Sequence, residues 1–462
     1  MATGQIILAF ILALAFVLIT IIKFNMHPFF SLLLGGLLMG VISGIGLLEI
    51  SAGLAAGFGS TMAGIGILII SGVILGELLH ASGCMEEIAN LFIQKLGIEN
   101  TPLAMNLTGY LVSIPVFFDA AFVILVNLAK SLSQKGKIPF VSLVTALSVG
   151  LITTHAMVIP TPGPTAVAGT MGANVGWFIF YGIITSLIGS VTGGVIYGRF
   201  LGKTAEFKDN FAQDFKEAEA VADQNSGNNV KKPSGETGIL LILLPILFIL
   251  VGTIVTMFLE KGTMMHTIFG FIGDKNVALI TAVLISYAVL KDSLKKDLNE
   301  MTSSATSQAG AILAITGAGG AFGSIITLSG IGEVIVEGLS SMTSSTGAGT
   351  VVILAAFMIS ALLRIAQGST TVALVTTSAI FAPIVTGLAG TSPVLVGLAI
   401  CAGGLGFSLP NDSGFWVVNR FSNFTTQQTL KVWTVGGSVS GLAALLAVVI
   451  LSFLSGVLPG LM

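Results

Sequence analysis

Apolar runs long enough to cross a bilayer recur along the whole chain, and short polar clusters punctuate them. A helix needs ~20 residues to cross the ~30 Å hydrocarbon layer, so the runs predict helices near 5–22, 29–47 and 53–80. A short amphipathic piece, EEIANLFIQKLG, follows and is expected to lie along the interface. Residues 103–130 are long enough to enter and return as a re-entrant hairpin with Pro115 near its tip. A broken span then covers about 140–174, and an unbroken one runs from 177 to 198. The plan repeats after a polar stretch: 238–259, 276–291, 302–328, amphipathic GEVIVEGL, a hairpin over about 350–386, a broken span to about 424, and a last helix to 457.

Two of the interruptions sit deep in apolar sequence: TTHAMVIPTPGP from Thr153 to Pro164, and GFSLPNDSG from Gly406 to Gly414. Backbone freed from a helix cannot face lipid, so such breaks survive only where protein, water or a ligand satisfies them. Matching breaks in two halves of a chain mark a substrate site between them.

An internal repeat supports the pairing. Gly72–Ile88 aligns with Gly319–Ile335 through identities at Gly72/Gly319, Gly76/Gly323, Ser82/Ser329, Gly83/Gly330, Glu86/Glu333 and Ile88/Ile335. Residues 199–236 hold thirteen of the forty charged residues and read as a solvated linker. The expected division is therefore a first repeat over 1–200, a linker over 201–237 and a second repeat over 238–462. Five crossings per half put Lys23, the Lys130/Lys135/Lys137 loop, the linker and the Lys291/Lys295/Lys296 loop on one face, which the positive-inside rule makes cytoplasmic. An odd number of crossings inverts the second repeat and leaves both termini outside. The expected fold is an all-α polytopic membrane protein of two inverted repeats, each with about five transmembrane helices, a re-entrant hairpin and a broken helix.

Composition agrees and removes other classes. The chain is 54% hydrophobic and 9% charged with mean hydropathy +1.00, against roughly 25% charged in soluble domains. A net charge of -2 offers no basic surface for nucleic acid. Cys84 and Cys401 lack metal-ligand spacing or a disulfide pattern and read as packing residues. The N-terminus has no basic region ahead of its apolar run and reads as a first span, not a cleaved signal.

Four ionisable residues lie near the breaks and hairpin tips: Asp119, His155, Arg364 and Asp412. A charge at mid-bilayer costs at least ~2.5–3.5 kcal/mol on insertion scales, so these groups should face a cavity or one another. A purely structural reading pairs Asp119 with Arg364. The functional one has Arg364 grip a substrate carboxylate through its two-pronged fork, with Asp119 or Asp412 taking up a coupling proton. Thr153, Thr154, Thr161, Gln367, Ser369, Thr370, Thr371, Asn411 and Ser413 supply neutral donors suited to a polyhydroxylated ligand. Back-bonding to helix carbonyls is the alternative for each hydroxyl. Half-helices starting after Gly163 and Gly368 would aim positive dipole ends at an anion, and His155 stands beside the first break. One arginine favours a monocarboxylate. No cofactor, metal site or catalytic residue is expected.

IPVFFDAAFVIL, THAMVIPTPGP, AAFMISALLRIAQGSTTVALV and GGLGFSLPNDSGFW together resemble the gluconate permease (GntP) family, within the ion transporter superfamily, along the whole chain. The resemblance implies proton-coupled uptake of a small organic acid, gluconate or another sugar acid and in some members D-serine, across a bacterial inner membrane. It also implies a homodimer with a scaffold and a moving, elevator-type domain that contains the hairpins. A sodium-coupled carrier of amino or carboxylic acids is the nearest competing expectation. A membrane-embedded hydrolase using Asp119, His155 and Asp412 lacks a nucleophile motif, and a passive channel fits paired breaks poorly.

Overall fold

The computed structural model describes residues 3–24, 26–116, 118–208, 232–294, 297–331, 334, 345–387, 391–410 and 412–461. Among them the regular structure is entirely helical. Seven helices are long and apolar enough to cross a membrane, or eight if the bent Leu298–Leu328 is one span. Large apolar side chains such as Leu12, Ile19, Leu284 and Leu446 are exposed. An aqueous surface could not carry so many, and lipid covers them at no cost.

The first half runs α1 (Thr3–Ile22), α2 (Pro28–Ile42), α3 (Leu47–Ala81), the short α4 (Cys84–Leu96), a hairpin of α5 (Thr101–Val112) and α6 (Phe118–Gly136), and a broken pair α7 (Phe140–Met157) and α8 (Pro162–Thr170). It ends in α9 (Val175–Leu201). The second half runs α10 (Gly235–Phe258), α11 (Met264–Ile272), α12 (Lys275–Leu290), α13 (Leu298–Leu328), a hairpin of α14 (Ser345–Gln367) and α15 (Thr370–Gly387), and a broken pair α16 (Pro393–Leu405) and α17 (Ser413–Ser422). It closes with α18 (Thr426–Phe453). Pairs of helices joined by a turn stand at the two positions where hairpins are expected, and helix interruptions at the two expected breaks. The amphipathic GEVIVEGL segment and most of the charged linker lie outside the described residues. Helix α11 is unexpected, and α3 starts six residues earlier than predicted because Glu49 and Ser51 dilute its first apolar turns.

Small residues decide how the elements meet. A Cβ on Gly57 would stand 2.4 Å from the Gly320 carbonyl, so α3 and α13 touch backbone to backbone, as small residues allow between membrane helices. The four glycines aligned in sequence also sit at close approaches. Gly76 lies against the Pro115 carbonyl at the first hairpin tip and Gly72 against the Pro160 carbonyl in the first break, while Gly319 and Gly323 face Val375 and Ala379 on α15. Helices α1–α3 thus group with α12 and α13, while α5–α9 group with α14–α18.

Within the second group α7 is central, with every residue except His155 buried. The buried Asn106 of α5 donates to the Ala146 carbonyl at 2.8 Å and accepts from the Ser190 hydroxyl at 3.1 Å, tying the hairpin arm to α7 and α9. Helices α9 and α18, each the last of its half, cross where a Cβ on Gly193 would lie 2.5 Å from the Gly436 carbonyl. Each carries a π turn, Val191–Ile196 in α9 and Leu430–Val435 in α18. Cys84 and Cys401 are both free and buried.

Candidate functional site

The hairpin tips and the second break converge on one cavity of about 180 Å³. Asp119, His155, Arg364, Gly368, Ser369, Thr370, Thr371, Asp412 and Ser413 line it, together with Phe118, Ile152, Gly414 and Trp433.

Each charged group is delivered by a helix end. Arg364 occupies the last turn of α14, where a cation complements the helix dipole. The chain then turns at Gly368, whose φ of 71° is left-handed and suits glycine, and the guanidinium Nη1 donates to the Gly368 carbonyl. Asp412 is the N-cap of α17, with Oδ1 accepting from the Gly414 amide at 3.0 Å. Its Oδ2 accepts from Arg364 Nη2 at 2.6 Å, the Ser408 hydroxyl at 2.6 Å and Trp433 Nε1 at 3.0 Å. This carboxylate is fully engaged. Arg364 is 1% exposed, and its Nε has no hydrogen-bond partner among the described residues.

Asp119 differs. It begins α6, where the helix dipole favours a carboxylate, and it is exposed on the cavity wall. No ion pair joins it to Arg364 among the described residues, so the pairing anticipated as a structural alternative gives way to Arg364–Asp412. With all three ionised, the cavity carries one net negative charge.

The first break contributes less. The Thr153 hydroxyl meets Ser440 at 2.9 Å, a contact between α7 and α18. Thr154 is buried, its hydroxyl has no hydrogen-bond partner among the described residues, and it is not on the cavity wall. Thr161 turns its hydroxyl onto the Val158 carbonyl, and Gly163 makes room for Leu374 of α15. From this region only Ile152 and His155 reach the cavity. Asn411 and the Gln367 side chain lie outside the described residues.

Sequence reasoning did not single out Trp433, Ser408 or Phe118. Nothing in its sequence surroundings sets Trp433 apart from a tryptophan of the interfacial belt. No group of three or more His, Cys, Asp or Glu among the described residues is placed to hold a metal ion.

Known proteins resemble this chain in sequence and in fold. The chain is 29% identical to a low-affinity gluconate transporter of Escherichia coli K12 over 98% of its own length and 100% of the relative's. It is 30% identical to the D-serine transporter DsdX of Escherichia coli O6:H1, covering 96% of this chain and 97% of that one. Its fold matches the YdaH transporter of Alcanivorax borkumensis with a TM-score of 0.60 at 14% identity, over 88% of each chain. The GntP family permease model matches residues 5–454. A helical membrane chain with paired hairpins and breaks around a charged cavity, matched to that model almost end to end, belongs to the GntP family of permeases and is a transporter, not an enzyme.

Proposed function

We propose that the protein is a secondary transporter that carries a small hydroxylated monocarboxylate, gluconate or a related sugar acid, into the cell together with a proton. The observation that carries this reading is the charge balance of the cavity. Arg364 is matched by Asp412, which leaves Asp119 as an exposed, unmatched carboxylate. An acid entering beside it adds a second negative charge. Two like charges 4 Å apart repel by about 4 kcal/mol at an effective dielectric of 20, and a proton on Asp119 removes that repulsion. Substrate anion and proton are then favoured together. Ser369, Thr370, Thr371 and Ser413 offer hydroxyls to the polyol, and Arg364 on the same wall is the cation for the carboxylate. Asp412, with both oxygens engaged, serves in this reading to hold Arg364.

The cycle we infer is elevator-type alternating access: the hairpins, broken pairs, α9 and α18 move as a unit against α1–α3, α12 and α13, in a homodimer of inverted repeats. The lysine distribution supports a cytoplasmic linker and external termini. A second reading rests on the same Asp119. Its carboxylate also suits the ammonium of an amino acid, whose carboxylate would go to Arg364, and one relative is a D-serine transporter.

Proteoliposomes given labelled gluconate or D-serine under separately imposed pH and sodium gradients decide among these. Acid-outside conditions should accelerate gluconate uptake without sodium. Uptake that requires sodium and ignores the proton gradient would overturn the coupling, and uptake of D-serine alone would install the second reading.

A further inference from the structure

Three elements remote in sequence meet at one side chain, Trp433, which lies in the π turn of α18 and is almost wholly buried. A π turn shifts the helix register locally and recurs at functional positions. Here it accompanies an indole on the cavity wall. Nε1–H is shared between Ser408 Oγ and Asp412 Oδ2, each at 3.0 Å. The ring packs on Phe118 of the first hairpin, with centroids 4.6 Å apart and planes tilted by 55°. A Cβ on Gly414 would lie 2.8 Å from Trp433 Cζ2, so the indole fits only because position 414 is glycine.

Neighbouring residues of α18 hold the second break in the same way. The Thr434 hydroxyl donates to the Ser408 carbonyl. Ser438 Oγ accepts from the Phe407 amide at 2.9 Å, at a residue whose φ of 58° is left-handed. Non-glycine residues adopt that conformation rarely, so α18 supports a strained break from outside it.

We infer that Trp433 is a specificity-determining residue of the transport site: its N–H fixes the Asp412–Arg364 pair in register for the substrate carboxylate, and its ring forms the apolar wall that limits substrate length. The inference rests on the proposed carriage of a carboxylate. Two jobs on two parts of one side chain make it separable. Trp433→Phe keeps an aromatic wall and deletes the donor, whereas Trp433→Leu deletes the wall as well.

The experiment is initial-rate uptake of gluconate and of the three-carbon acid glycerate into proteoliposomes. Losing one hydrogen bond to a buried ion weakens binding by about tenfold. Trp433→Phe should therefore raise KM about tenfold for both acids while Vmax stays within about twofold, the signature of lost binding. Trp433→Leu should in addition shift the KM ratio toward gluconate. An unchanged KM in the phenylalanine variant, or a fall in Vmax alone, makes Trp433 a packing residue and overturns the donor role. An unchanged KM ratio in the leucine variant overturns the wall.

Gly414→Ala provides a check that keeps the tryptophan itself: by displacing the indole it should raise KM in the same direction. Should the Trp433 variants fail to fold, Trp433 is kept as sole tryptophan by Trp177→Phe and Trp416→Phe, and gluconate is titrated against its emission. Saturable quenching supports the inference, and emission blind to saturating gluconate defeats it. A wild-type protein that takes up neither acid would refute the functional reading, and this inference with it. Variants that match an active wild type refute this inference alone.

Discussion

The two breaks look alike in sequence and differ in what they do. At the first, the polar side chains turn inward: Thr153 to Ser440, Thr161 to the carbonyl three residues before it, and Thr154 to no partner among the described residues. At the second, Asp412 collects four donors from three separate elements. The first break is a packed joint against α3, where Gly72 meets Pro160, and only His155 carries its polarity into the cavity. The second is an ion-pair node. Two interruptions that look alike in sequence therefore need not share chemistry. One holds the charges, while the other is a close-packed joint.

Disrupting the node should have the largest effect. Removing one partner of a buried ion pair strands the other and costs about 3–5 kcal/mol. Arg364→Ala and Asp412→Ala should each abolish uptake and lower the thermal transition of the detergent-purified protein. The double variant strands no charge, so it should recover much of the thermal stability while uptake stays absent. A double variant that transports would make the pair structural only. Arg364→Lys is a finer probe: it keeps the charge but loses the planar fork to Gly368 and Asp412, so substrate affinity should fall further than the amount of protein in the membrane.

How much of this could be read beforehand follows from the same contrast. Apolar length gave the spans, and Pro115, the QGSTT tip, TPGP and SLPNDSG gave the hairpins and breaks, because proline, glycine and polar clusters interrupt a helix whatever surrounds them. The four ionisable residues of the site were legible for a similar reason: charge in an apolar run needs a cavity. Their pairing was not. Arg364 and Asp412 are 48 residues apart, and nothing in residue type says whether Asp119 or Asp412 meets the guanidinium. That depends on how α14 and α17 are placed. Hydroxyls were the least legible, since Thr153 and Ser369 look equally polar in sequence, and only backbone direction sends one to α18 and the other to the cavity.

Asp119→Asn addresses the free acid of the first hairpin, and its effect should be selective. Asp119 contributes no ion pair among the described residues, so the thermal transition should stay within a degree or two of wild type, as expected for an exposed polar replacement. A neutral amide mimics the protonated acid in charge and cannot release a proton. Accumulation driven by a pH gradient should therefore be lost, while exchange of gluconate for gluconate at equal pH falls far less. Uptake by the variant that still follows the pH gradient would move the coupling group elsewhere, with His155 the next candidate on the cavity wall.

The smallest effects are expected at the first break, and they test the comparison most sharply because sequence alone would rank Thr154 with the site. Its hydroxyl is buried and unpartnered, and an unsatisfied buried hydroxyl is itself a cost of roughly 1–3 kcal/mol. Thr154→Val removes the hydroxyl and keeps the shape, so stability should hold or rise slightly and gluconate KM should stay within about twofold. Thr153→Val is different, because it leaves the buried Ser440 hydroxyl without its partner. That change should lower stability by about 1 kcal/mol, again with little change in KM. A large rise in KM from Thr154→Val, with stability intact, would mean that the threonine reaches substrate in another state of the cycle. The two breaks would then alternate as binding surfaces, and the division into a packed joint and a charged node would describe only one end of the movement.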